Sequence, residues 1–441
     1  MQIRKFTITG ILLLWLCVSG AQELNEEFFA KNPDAAGGIY YGYKYTAQKE
    51  TAVPKGYKPT YISHYGRHGS RWHGSWDPYG YSIKYLKKAN DLNMLTPYGT
   101  KLYTTIDRVV KNAKGRIGEL TQKGIEEHRG IAQRMFQRYP EIFKGKNRHI
   151  EARSTQMPRC ILSMSAFTQK LKDLNPKLDI YQTTNEQCDK IYLPSDGRTY
   201  SISHTHKVTS KEIDSVIRSF TKDIFPRIFK AEFNEELNKH SREYGRMLRT
   251  LFYTINIMQD TEGDVRVKDL FTPRQLMLAW EKVSKNRYAT FSNCEEYGDG
   301  ILYDGSIIIE DVLNDAEDMF SNGGRVAFLR FGHDVGVMAI LDILKVEGKS
   351  VRTSFNDPKL KEKWVDFKIA PMATNIQWIF YKNRRDDVIV KVLHNEQECY
   401  LPIKSDIAPY YHWNDMKQYM QQRITEVRAL PLVQKILAEK K

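Results

Sequence analysis

Three short stretches carry side chains that could act together on a tetrahedral dianion. Arg67, His68 and Arg71 fall in GRHGSR, Arg159 opens RCILSMSAFTQKLKDL, and His333-Asp334 follow the apolar run GRVAFLRFG. Guanidinium groups present planar, paired donors that match phosphate oxygens. A neutral imidazole can attack phosphorus and carry the phosphoryl group covalently, splitting one displacement into two. A carboxylic acid beside it can protonate the departing alkoxide. A cationic surround stabilises charge on the equatorial oxygens of the transition state. The scheme calls for no metal and no cofactor.

Residues so far apart meet only if the fold brings them to one edge. Residues 57–65, rich in aromatic and β-branched side chains, predict a strand ending at Gly66. Residues 148–155 and 324–332 predict two more, the second leading directly into a helix over 335–344. Helices are expected over 77–114, 118–138 and 159–174, and throughout about 210–290. A β-hairpin is expected where TNIQWIFYK and VIVKVLHN flank NRRDD. Strand–helix alternation broken by a helical block predicts an α/β fold, a three-layer core around a mainly parallel sheet with an all-α cap inserted in it. The core is expected over 22–205 and 300–441 and the cap over 206–299. In such sheets the carboxyl ends of strands converge on one crevice, where helix N-termini favour anions.

The first residues read as a leader rather than fold. MQIRK is a basic start, FTITGILLLWLCV is too short to span a bilayer, and SGA supplies small residues at a cleavage point before Gln22. The expectation is a signal peptide over 1–21 and an exported, periplasmic or secreted protein with no stable membrane insertion. A net charge of +14 favours an anionic partner. The basic residues are scattered and no nucleic-acid-binding motif stands out, which points to a phosphorylated small molecule rather than nucleic acid. Cys160, Cys188, Cys294 and Cys399 are widely spaced without a CxxC pair, so a zinc site is not expected and their pairing stays open. His204 and His206 read as ordinary loop residues, Glu295-Glu296 as solvated, and His64 as either a pocket or a core histidine.

The motifs resemble those of the histidine acid phosphatases, the branch of the histidine phosphatase superfamily that contains phytases and multiple inositol polyphosphate phosphatases. GRHGSR looks like the family signature, GELTQKG like its Leu-Thr-x-x-Gly segment, RCILSMSAF like its third-arginine helix, and FGHD like its His-Asp motif. Trp72 and His73 depart from the proline that commonly follows the second arginine. His333-Asp334 resembles the bacterial phytase and acid phosphatase type rather than the His-Ala-Glu of many inositol polyphosphate enzymes. The resemblance implies that His68 becomes a phosphohistidine and that Arg67, Arg71, Arg159 and His333 bind the transferred phosphate. It implies that Asp334 donates the leaving-group proton and later helps activate water, and that Gly66 and Gly69 let backbone approach the phosphate. Activity is expected to decline at alkaline pH as the donor ionises. Inositol polyphosphate is the expected substrate. A broad-specificity acid phosphatase or sugar phosphatase would use the same six residues, and a non-catalytic phospholigand-binding protein is the competitor from another class.

Overall fold

The side chains of β1 (Lys58–Arg67) divide between two cores. Tyr61 and Tyr65 enter one hydrophobic cluster, while Ile62 enters another on the opposite face and His64 packs there on Phe167 and Phe331. This period-two alternation is what a sheet covered on both faces requires. The computed structural model describes residues 23–145, 148–238, 241–261, 267 and 269–439; the leader expected over 1–21 lies outside them.

The other strands are β2 (His149–Ser154), β3 (Asp179–Thr184), β4 (Ala327–Gly332), β5 (Asn375–Lys382), β6 (Val388–His394), β7 (Gln397–Glu398) and β8 (Tyr410–His412). They form one sheet in the order β3-β2-β4-β1-β5-β6-β7, with β8 paired to β6. The β3-β2-β4-β1 half is parallel, and β5 turns antiparallel against β1 and β6. Helices Gln122–Arg138 and Pro158–Leu174 cover one face through Ile131, Met135, Phe167 and Leu171. Helices Asp299–Asn322, Asp334–Ile343 and Trp413–Arg428 cover the other. Phe167 and Phe331 are fully buried, and each such side chain taken out of water contributes about 1.5–3 kcal/mol. The expected three-layer α/β architecture is therefore present.

A third cluster joins helices Asp77–Asp91, Pro97–Ala113, Thr221–Ile228, Ser241–Ile257 and Pro273–Phe291 around Leu102, Leu251 and Trp280. The helical body thus recruits residues well ahead of 206. The helix expected over 77–114 is two helices. Asn93 takes a left-handed φ of 58°, and Thr96 caps the second helix by accepting from Gly99 N–H, with Pro97 at its first position.

The helical block also starts earlier than 210, at Asp196, and runs to Ser219. Its first amides are capped from a distance: Gly197 N–H and Arg198 N–H donate to the carboxylate of Asp304. Gly197 lies against Gly300 so closely that a Cβ would sit 1.7 Å from the Gly300 oxygen, so the two helices cross backbone to backbone. His204 and His206 are consequently helical, not loop residues. Beyond the expected hairpin come helices Trp413–Arg428 and Pro431–Glu439.

Candidate active site

β1 and β4 give out side by side, with Arg67 opposite Gly332. The turn that follows β1 has its backbone held group by group. His68 N–H donates to Gly332 O at 3.0 Å and His68 O accepts from Ala373 N–H at 3.1 Å. Gly69 N–H donates to Ser163 Oγ at 3.1 Å, and Ser70 N–H to Glu127 Oε2 at 2.7 Å. Ser70 O accepts from both Thr121 N–H and Thr121 Oγ–H. The Leu-Thr-x-x-Gly segment therefore cradles this turn, and Thr121 also caps its own helix.

Packing by itself requires both glycines. A Cβ on Gly69 would meet the Gly124 backbone at 2.5 Å, and one on Gly66 would meet the His64 ring at 2.7 Å. His64 itself is a core residue, 1% exposed between Phe167 and Phe331, where burial lowers its pKa to about 3.

All six residues singled out from the sequence come close enough to act on one another electrostatically. His68 Nδ1 lies 2.9 Å from Gly69 O. A carbonyl only accepts, so Nδ1 carries the hydrogen and Nε2 keeps its lone pair free. Burial first, then the fields of Arg67, Arg71, Arg159 and His333, hold His68 well below the usual imidazole range, hence neutral. The His333 ring is 5.6 Å from that of His68, centroid to centroid. Its Nε2 is 3.3 Å from Thr155 Oγ, and burial lowers it to about 3.

Arg67 is fully buried, and its Nη1 donates to Ile39 O at 2.6 Å and Ala370 O at 2.9 Å. Its Nε and Nη2, Arg71 Nε and Arg159 Nε are buried with no hydrogen-bond partner among the described residues. Arg71 stacks on Tyr40 and donates to Trp72 O. Burial, then Arg71, lowers Arg159. Buried donors left unmade are costly, so this concentration of them on cations marks a site shaped for an anion.

Asp334 opens its helix directly after β4. Its Oδ2 is 3.9 Å from Arg67 Nη2 and 3.8 Å from Arg287 Nη1. Burial alone would raise this carboxyl, but Arg67, Arg287, His333 and Arg71 outweigh it and hold it well below the usual carboxylate range. An alkaline limb set by ionisation of the unliganded Asp334 does not fit this field.

Arg287 is the residue that sequence reasoning missed. It lies on helix Pro273–Phe291 and lines a cavity with Tyr40, His73, Tyr253 and Asn286 beside Asp334. The signal was present: Arg287 falls three residues after buried Ser284 and seven after buried Trp280, a cation near an otherwise apolar helix face. His73, which replaces the family's usual proline region, donates through Nε2 to Tyr253 O and ties the turn to the helical body.

The remaining candidates stay apart. His204 is exposed, with Nδ1 2.7 Å from Tyr200 O; Glu296 accepts from Phe355 N–H in a loop contact. All four cysteines are free and buried. Cys160 lies beside His333, but burial pushes its thiol up to about 11, which leaves it a poor nucleophile.

The profile of the histidine phosphatase superfamily (branch 2) matches residues 67–395. A search of the curated proteins finds no match. Among solved structures, the multiple inositol polyphosphate phosphatase of Bifidobacterium longum in complex with inositol hexasulfate superposes with a TM-score of 0.71 at 17% identity, over 88% of this chain and 97% of that one. The phosphate complex of the same enzyme gives 0.71 at 18% identity, over 88% and 97%. The phytase of D. castellii gives 0.70 at 14% identity, over 89% of this chain and 85% of that one. These likenesses establish a shared fold.

Proposed function

Because the chain belongs to the histidine phosphatase superfamily, branch 2, and is a phosphatase, we propose that it hydrolyses phosphomonoesters through a covalent phosphohistidine at His68, with inositol polyphosphate as its substrate. The observation that carries this reading is the set of unpaired guanidinium donors gathered around a neutral imidazole whose Nε2 is free.

In the first step His68 Nε2 attacks phosphorus, the bond to the leaving oxygen breaks, and Asp334 gives that oxygen a proton. Arg67, Arg71, Arg159 and His333 hold the equatorial oxygens. Asp334 is ionised before substrate arrives, so its proton comes with the phosphate monoanion, whose remaining charge offsets the arginine field. In the second step water attacks the phosphohistidine, Asp334 takes the proton from the water, and phosphate leaves with His68 regenerated.

The polyphosphate assignment is supported by the +14 charge, by Arg287 beside the leaving-group carboxyl, and by a fold neighbour crystallised with inositol hexasulfate. Arg287 would pair with a phosphate on the leaving group. We also propose export, to the periplasm or outside the cell, on the leader-like residues 1–21. The test is phosphate release from inositol hexakisphosphate and from an aryl phosphate, with chromatography of the inositol products. Successive loss of phosphates from the inositol ring is expected. Turnover of the aryl ester with an untouched inositol hexakisphosphate would overturn the substrate assignment.

A further inference from the structure

Ser70 stands two residues after His68, and its side chain lies between the buried carboxyl group of Asp260 and the part-buried one of Glu127. Its Oγ is 2.8 Å from Glu127 Oε1 and 2.9 Å from Asp260 Oδ1. A hydroxyl has one hydrogen to give. Two ionised carboxylates at these distances would leave one lone pair facing another. Glu127 is the better supplied of the two: it also accepts from Ser70 N–H at 2.7 Å and Tyr43 N–H at 2.9 Å. Asp260 has Lys123 Nζ at 3.3 Å, while its Oδ2 is buried without a partner among the described residues. Among the described residues, the ionisable groups that act on Asp260 are Lys123 and Glu127 from one helix and Tyr79 from another. One ammonium, itself 38% exposed, is poorly placed to balance two adjacent carboxylates, one of them fully buried.

We infer that Asp260 is protonated and donates to Ser70 Oγ, that Ser70 donates in turn to Glu127, and that this relay positions the turn carrying His68 and Arg71. The inference rests on the reading of that turn as the nucleophile-bearing one. Glu127 and Asp260 are positioning residues: they act through Ser70 and touch no reacting atom. The relay also ties the core to the helical body, because Glu127 lies on a helix packed against the sheet and Asp260 follows helix Ser241–Ile257.

The electrostatics agree with the geometry. Burial pushes Asp260 up to about 7, with Lys123 opposing and Glu127 adding to it. A carboxyl raised above its ordinary 3.8 binds its proton more tightly in the folded state than in the unfolded one. Its contribution to stability therefore falls as pH rises through the window from about 4 to about 7. Above that window Asp260 becomes a buried anion beside Glu127, and the turn loses one hydrogen bond.

The experiment compares wild type with Asp260→Asn, whose amide nitrogen, placed where Oδ1 stands, can donate to Ser70 and stays uncharged at every pH. The wild-type-minus-variant infrared spectrum at pH 5 is expected to contain a protonated-carboxyl C=O band that vanishes by pH 9. The variant's turnover relative to wild type should rise with pH, by about threefold or more between pH 5 and pH 8, the cost of one hydrogen bond. Taking the ratio cancels the substrate's own ionisation. No such band at pH 5, or a ratio that falls with pH, overturns the inference. Should Asp260→Asn fail to fold, Ser70→Ala replaces it: removing the acceptor must shift the band, and an unshifted band overturns the relay. A band present in a protein without phosphatase turnover would leave the relay standing and sink the function. Turnover without the band would do the reverse.

Discussion

Two arginines on neighbouring strands, Arg67 and Arg330, are fully buried, and they are treated in opposite ways. Arg330, inside β4, has its Nε on Asp311 at 2.6 Å, its Nη1 on Ser63 Oγ at 2.8 Å, and its Nη2 3.3 Å from Asp315. Although burial opposes it, Asp311 and Asp315 raise its pKa above the ordinary arginine value. Arg67, at the end of β1, is lowered by burial, has one carboxylate at 3.9 Å, and keeps Nε and Nη2 without partners among the described residues. The same side chain at similar burial is a structural tie in one place and an unfilled anion receptor in the other. Completeness of pairing, rather than burial or charge, separates the two.

The sharpest way to break the comparison is to remove each guanidinium. Arg330→Met should strand Asp311, leaving Asp315 to Arg325 alone, and cost about 3–5 kcal/mol of stability, read as a lower midpoint in urea. Arg67→Met, which forfeits only the Nη1 hydrogen bonds to Ile39 O and Ala370 O, should lower that midpoint clearly less than Arg330→Met while reducing kcat by about 10^2–10^3-fold. Equal destabilisation by both would erase the distinction. Next in size, Asp334→Asn should lower kcat/KM for an alkyl phosphate about 10^2-fold more than for an activated aryl phosphate, whose leaving group needs no proton; equal losses in kcat/KM would remove Asp334 from the donor role. Smaller again, Arg287→Ala should reduce kcat/KM for inositol hexakisphosphate about tenfold, the worth of one charged hydrogen bond, with little change on the aryl ester.

How far the sequence alone reached follows the same division. The strand end at Gly66, the third-arginine helix and His333-Asp334 were readable because glycine punctuation and hydrophobic period are local signals. The partners that finish the site were not. Arg67 rests on the Ile39 carbonyl, Arg287 arrives from the helical body, and Asp260 meets Ser70 across 190 positions. Local propensity likewise concealed the helix start at Asp196, whose amides are capped by Asp304 from far along the chain. The break near Asn93 was hidden for a related reason, since Met94 and Thr96 pair there with Lys230 and Ile228 from another helix pair.

The central claim is that His68 Nε2 forms a bond to phosphorus. Rapid acid-free quenching of the protein during turnover of a radiolabelled phosphomonoester, followed by peptide mapping, tests it directly. The account predicts an acid-labile, base-stable label on the peptide containing His68, lost in His68→Ala. Label on another residue, or undiminished turnover in His68→Ala, would contradict it.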